Sequence, residues 1–162
     1  MAALEHALVV TTRSAQETFA LGLSIGAVLL PFDFIGLSGQ LGAGKTQLSR
    51  GIAQGVGVPI DDVSSPTYAI VQSYSGRLTL HHADLYRLAS TDDLYSVGYF
   101  DLLEESAAML VEWVDQVPGA APSEALRIRF ELVDAQTRKL TFEASGPRAQ
   151  SLLERAKISQ SP

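Results

Sequence analysis

The 162-residue chain has no cysteine and no asparagine, and its only lysines are Lys45, Lys139 and Lys157. Without cysteine there is no disulfide and no thiolate metal site, an absence that fits a reducing compartment. Twelve basic residues against 18 acidic ones leave a net charge of −6. Nucleic-acid affinity draws on Lys and Arg neutralising phosphates, so direct binding to DNA or RNA is not expected. Any action on nucleic acid would run through a basic partner. No apolar run reaches the roughly 20 residues that span a bilayer; the longest, from Ile25 to Phe34, is broken by Gly26, Pro31 and Asp33. The segment Met1 to Val10 carries Glu5 and His6 but no Lys or Arg, unlike the positive start of a secretory signal. A cytoplasmic protein without membrane contact is the expectation.

What is present suits one domain with a proper core: 46% hydrophobic and 19% charged residues. His6 to Thr12 reads as a strand. Ser14 with Glu17 has capping-box spacing and opens a helix over Ala15 to Leu29, stopped by Pro31. Phe32 to Leu37 is an apolar run read as a buried strand, and Thr46 to Gly55 as a helix. After a polar loop over Asp61 to Pro66, Thr67 to Tyr74 and Arg77 to Ala83 read as a hairpin turning at Ser75-Gly76. Asp92 to Leu103 holds one or two short helices, and Ala107 to Trp113 is another buried strand. Leu126 to Val133 and Arg138 to Ala144 form a second hairpin, and Gln150 to Lys157 a last helix, with residues 145–162 as a C-terminal helix or tail. Strands interleaved with helices predict an α/β fold, and two hairpins predict a mixed sheet flanked by helices in three layers.

The chemistry concentrates at Gly39-Gln40-Leu41-Gly42-Ala43-Gly44-Lys45-Thr46, a full match to G-x-x-x-x-G-K-[ST]. The glycines let the backbone curl round a phosphate, the N–H groups point inward, and the following helix adds its positive end. Lys45 supplies charge for the β- and γ-phosphates, and the Thr46 hydroxyl a ligand for Mg²⁺. Gln47 continues the loop into the helix. At ordinary residue frequencies four fixed positions match by chance in roughly one chain in a few hundred, and placement between a strand and a helix lowers that further. GTPases read guanine through an Asn-Lys-x-Asp element, which a chain without asparagine cannot supply. The Leu-Ser-Gly-Gly-Gln element of ABC-type ATPases has no separate counterpart, because Leu37-Ser38-Gly39-Gln40 lies within the loop.

Phosphate-loop enzymes place an acidic residue at the end of an apolar strand near the loop. Glu112, after Met109-Leu110-Val111, occupies that setting; strand position alone leaves it either a metal or water-orienting carboxylate or a solvent-facing strand end. Asp84, after His81 and His82, is equally open. Two adjacent histidines on a strand face opposite ways and read as structural. Ser64-Ser65-Pro66-Thr67 is a hydroxyl-rich turn that would suit a γ-phosphate-sensing segment or an ordinary loop. A small-molecule kinase of the phosphate-loop class is the alternative, with Arg127 and Arg129 as candidate lid arginines, although their strand alternation reads as a solvated face.

Taken in order, Leu41 to Thr46, Ser65-Pro66-Thr67-Tyr68, His82-x-Asp84-x-Tyr86-Arg87-Leu88, Gly98-Tyr99-Phe100 and Val111-Glu112-Trp113 resemble the TsaE (YjeE) family of small bacterial ATPases, required for threonylcarbamoyladenosine formation in tRNA. The resemblance covers roughly residues 8 to 144. It implies that the loop binds ATP and that Thr46 and Glu112 hold Mg²⁺. It implies that Asp84 is a metal-shell or catalytic carboxylate, that Ser65 and Thr67 belong to a switch segment, and that Arg138 approaches the nucleotide. It makes His82 a structural residue that fixes the turn presenting Asp84, and leaves Trp113 as either core packing or a wall beside the nucleotide, with core preferred. It implies slow, partner-dependent ATP hydrolysis alongside a TsaD–TsaB pair, with tRNA met only through that complex. The chain departs from the family at Gln40, where an Asp is usual, at Gln47, where a hydroxyl residue is usual, and at Tyr95-Ser96, where acidic residues are usual.

Overall fold

The computed structural model describes residues 7–63 and 70–162. Seven strands form one mixed sheet: β1 (Ala7–Thr12), β2 (Phe34–Ser38), β3 (Val71–Ser75), β4 (Thr79–Asp84), β5 (Ala108–Glu112), β6 (Leu126–Leu132) and β7 (Arg138–Ala144). Their order is β1-β7-β6-β2-β5-β4-β3. The four central strands β6, β2, β5 and β4 run parallel, and both flanks close with antiparallel pairs. The helices are α1 (Ala15–Gly26), α2 (Lys45–Val56), α3 (Thr91–Ser96), α4 (Tyr99–Leu103) and α5 (Gly146–Arg155).

Strand alternation splits the core between the two faces. Ile35, Leu37, Leu80, Leu110, Ile128 and Phe142 pack with Ile25, Leu48, Ile52 and Leu152 of α1, α2 and α5. Phe34, Ala83, Met109 and Val111 face the other way, onto Leu94 of α3, Tyr99 of α4 and Val114. The result is three layers, as the sequence pattern predicts. Covered on both faces, β2 and β5 read as unbroken apolar runs. The β6–β7 hairpin alternates because one of its faces meets solvent, where Arg129 pairs with Glu143 and Lys139 with Glu131.

Several boundaries differ from expectation for local reasons. Helix α1 stops at Gly26, not Leu29. Its last turn tightens through Val28 N–H to the Ile25 carbonyl, and Arg77 donates to the Gly26 and Leu29 carbonyls. Strand β2 starts at Phe34 because Phe32 takes a left-handed conformation (φ 73°) and gives its N–H to the Ala107 carbonyl. Strand β5 ends at Glu112 because Trp113 is also left-handed (φ 59°). The strand start expected at Thr67 lies outside the described residues; β3 is described from Val71.

Helix α5 begins at Gly146, earlier than expected, since Pro147 is pre-organised for a first helical turn. The segment after it is tied down. Val9 N–H donates to Gln160 Oε1, Thr11 N–H donates to Ser161 Oγ, and Ser161 N–H donates to the Val9 carbonyl. Arg155 of α5 also meets Asp33 at 2.6 Å, and the Asp33 carboxylate, 1% exposed, takes the Leu30 N–H at 2.8 Å. Replacing Arg155 with Met is expected to leave that carboxylate buried without its cation, at a cost of about 2 kcal/mol in urea unfolding. That is less than the roughly 3–5 kcal/mol of a fully buried pair, because the Arg155 side chain is 27% exposed. An unchanged midpoint would show that the pair contributes nothing.

Candidate functional site

The parallel strands β2, β5 and β4 deliver their carboxyl ends to one edge, where ligand sites form in open α/β sheets. Leu37 pairs with Glu112 across β2–β5, and Asp84 pairs with Glu112 across β4–β5. Glu112 and Asp84 are therefore side by side at the edge from which the glycine loop departs. Both point to the α2 face, since they share it with Leu80, Ala108 and Leu110.

The loop runs from Ser38 at the end of β2 to Lys45 at the start of α2. Gly39 (φ 136°) is left-handed, and a Cβ there would lie 2.8 Å from the Phe130 carbonyl oxygen, so only glycine lets the loop pass β6. Gly44 (φ 107°) caps α2 in the left-handed region and frees the helix N-terminus toward the cleft. Ala43 is fully buried and anchors the loop from below, whereas Leu41, 79% exposed, stands at the rim.

Beside the loop lies a cleft of about 470 Å³, lined by Gly42, Gly44, Lys45, Thr46, Asp84 and Glu112. Leu41, Gln47 and Trp113 line it too, joined by Ile70, Tyr86 and Arg87. The structure thus brings Lys45, Thr46, Asp84 and Glu112, the residues proposed above for the metal and the phosphate charge, onto one cleft. Gly39 and Gln40 sit on the other side of the loop, lining a hollow of about 400 Å³ with Trp113, Arg129 and Phe130. Arg138 is not on the cleft wall. Its guanidinium bonds the carbonyls of Asp134, Ala135 and Thr137 in its own turn, and its Nε lies 3.7 Å from where a Cβ on Gly44 would sit. Ser65 and Thr67 fall outside the described residues. Arg127 pairs with Asp115 at 2.6 Å and Arg129 lies within 3.6 Å of Glu143, and neither reaches the cleft.

Lys45 is 5% exposed, and its Nζ donates to the Gly39 carbonyl at 2.6 Å and the Gln40 carbonyl at 2.8 Å. The same ammonium lies 4.3 Å from the centroid of Trp113, a cation–π distance. Burial pushes the Lys45 pKa down, opposed by the charges of Glu112 and Asp84. The Asp84 carboxyl is pushed up, first by burial and then by the like charge of Glu112, against the pull of the Tyr86 N–H, His82 and Lys45. A cleft that raises one carboxyl and lowers an ammonium is a perturbed environment of the kind that functional sites show.

Two features are decided only by the tertiary structure. Trp113, open between core and a wall of the site, is half-buried and lines the cleft, its ring tilted 51° against Tyr86 with centroids 4.9 Å apart. Its left-handed backbone, costing roughly 1–2 kcal/mol in a non-glycine residue, turns the ring out of the sheet toward Lys45. His82, read as structural, meets Glu112 Oε2 through its Nε2 at 2.6 Å. The spacing His82-x-Asp84 places both on one strand face, which is a usable signal. The partner strand and its register were needed to find Glu112. His81, on the opposite face as alternation requires, contacts Glu105 and Ser73 instead.

The donors at the cleft are a hydroxyl and two carboxylates, hard oxygen ligands of the type magnesium takes. Among the described residues no group of three or more His, Cys, Asp or Glu could hold a metal alone. Magnesium is commonly held by one or two protein carboxylates, with water and phosphate oxygens completing its shell.

A family model described as "Threonylcarbamoyl adenosine biosynthesis protein TsaE" matches residues 12–140. Similar curated proteins include the tRNA threonylcarbamoyladenosine biosynthesis protein TsaE of Treponema pallidum, 34% identical over 80% of this chain and 96% of that protein. The protein of the same name from Bacillus subtilis is 35% identical over 88% of this chain and 89% of its own length. The crystal structure of Bacillus subtilis YdiB superposes with a TM-score of 0.76 and 31% identity, covering 94% of this chain and 95% of that one.

Proposed function

The chain belongs to the TsaE family of threonylcarbamoyl adenosine biosynthesis proteins, and from that premise we propose that it acts in tRNA threonylcarbamoyladenosine formation as a magnesium-dependent ATPase. One observation carries the ATPase reading: Lys45, Thr46, Asp84 and Glu112, from three separate elements, line a single cleft at the mouth of the glycine loop. In this reading the loop N–H groups and the N-terminus of α2 cradle the phosphates, and Lys45 offsets charge developing on the transferred phosphoryl oxygens. Thr46 and Glu112 would hold Mg²⁺, with Asp84 beside them as a further oxygen ligand; bound there, the ion would neutralise phosphate charge. Asp84 or Glu112 would orient the attacking water.

Two of the three Lys45 N–H donors are held by the Gly39 and Gln40 carbonyls, which leaves the third for phosphate unless those bonds yield. Intrinsic turnover is proposed to be low and to rise when a partner completes the site. The partner proposed is a TsaD–TsaB complex, in the cytoplasm. With a net charge of −6 the chain meets tRNA through that complex. No helix among the described residues is long and apolar enough to cross a membrane.

Reconstitution with TsaD and TsaB tests the proposal by scoring modified tRNA and released phosphate together. Modified tRNA is expected only when this chain, ATP and Mg²⁺ are all present, with phosphate release faster than from the chain alone. Equal tRNA modification with and without the chain would sink it.

A further inference from the structure

Glu112 reaches His82 by running back along its own strand. In the β4–β5 register His82 is opposite Leu110, and Glu112 is opposite Asp84. His82 and Glu112 are thus diagonal neighbours on one face, a separation that long side chains span. Both side chains are buried, at 3% and 4% exposure. Where the Glu112 carboxylate accepts, as an ionised carboxylate does, the 2.6 Å contact is a hydrogen bond donated by His82 Nε2–H to Glu112 Oε2.

The neighbouring histidine gives the contrast. His81 contacts Glu105, a carboxylate 54% exposed and away from the cleft. His82 instead holds a cleft-lining carboxylate shielded from water. A free Glu side chain gives up roughly 1.5–2 kcal/mol of rotamer entropy when fixed. Here a histidine on a central strand, packed near Tyr74 with ring centroids 6.4 Å apart, has already fixed it. One carboxylate oxygen is held, and the other is left for the cleft.

We propose that His82 is a positioning residue, whose Nε2–H holds the Glu112 carboxylate in the one orientation that can serve Mg²⁺ at the nucleotide. The inference rests on the reading of the cleft as a magnesium–nucleotide site. It differs from a core-filling role because its consequence is confined to the magnesium-dependent part of binding. Outer partners of this kind typically contribute about 10–100-fold in metal affinity.

The test is ADP titration of the full chain, followed by Trp113 fluorescence, with Mg²⁺ and again with EDTA. The proteins are the wild type, His82→Asn, His82→Gln, Glu112→Ala, and His82→Asn with Glu112→Ala. The Gln amide extends to about the position of Nε2, and the Asn amide falls short of it. His82→Asn is expected to lose about 10–100-fold of the affinity that Mg²⁺ adds while matching wild type in EDTA, and His82→Gln is expected to recover most of it. In the Glu112→Ala background His82→Asn should have no further effect, the non-additivity expected of residues acting as one unit. Equal loss in the Asn and Gln variants, a full magnesium response in His82→Asn, or failure of both variants to fold would each overturn the inference and make His82 a core residue only. A wild-type chain that binds ADP equally with and without Mg²⁺ would instead overturn the reading of the cleft itself.

Discussion

Replacing Lys45 with alanine is expected to remove measurable ATP binding and to lower phosphate release by at least about 10²–10³-fold, the range for loss of one pre-organised electrostatic contact. The size of the effect follows from where the ammonium sits. It is 5% exposed, held between two loop carbonyls and the Trp113 ring. Water screens a charge in that position little. Arginine should not rescue it, because a planar fork does not fit a cage built for a compact ammonium. Trp113, the only tryptophan, reports directly: its emission should respond to nucleotide in the wild type and stay flat in Lys45→Ala. Glu112→Gln separates the two roles, with phosphate release lost and nucleotide still bound at the affinity it has without Mg²⁺. Hydrolysis by Lys45→Ala at the wild-type rate would show that the activity belongs to a contaminant or to another site.

The second large effect is on the fold. Helices α1 and α2 meet backbone to backbone through Gly22, Gly26, Gly51 and Gly55. A Cβ on Gly22 would lie 2.9 Å from Gly51 Cα, and one on Gly55 would lie 2.5 Å from the Leu23 carbonyl oxygen. A Cβ on Gly51 would run into the Phe19 carbonyl oxygen, which has no rotamer by which to yield. Gly51→Val is therefore expected to force the two helices apart at a cost of about 4 kcal/mol, at the upper end of overpacking effects. For a chain of this length that corresponds to a fall of about 8–16 °C in Tm. Ala20→Val on the exposed face of α1 serves as the control, costing only about 0.5 kcal/mol in helix propensity. Comparable Tm shifts in the two variants would rule out the close helix contact. Because α2 begins at Lys45, the wedge should also weaken nucleotide binding, a link between packing and function that ADP titration checks.

The glycine loop was legible in the sequence because its residues are contiguous and each type is dictated by local backbone or phosphate chemistry. The strand before it and the helix after it were legible from periodicity. So were both hairpins and the opposite facing of His81 and His82. Glu112 and Asp84 were visible as acids at strand ends, but nothing local distinguished a ligand from a solvated terminus. The parallel register of β4 against β5 sets them side by side, and that register joins residues 28 positions apart. Trp113 stayed open between core and site wall because its left-handed turn has no sequence signature. The close approach of α1 and α2 was hidden because Gly51 and Gly55, read alone, only weaken a helix.

By itself, then, the sequence determined the three-layer mixed α/β plan, the glycine loop and the family, since these rest on local propensity, hydrophobic period and contiguous motif. Only the tertiary structure decided which carboxylates share the cleft with Lys45, that Trp113 forms its wall and that His82 holds Glu112. Those facts depend on which strands pair and in what register, and a one-residue slip of β4 would turn His82 and Asp84 to the face opposite Glu112.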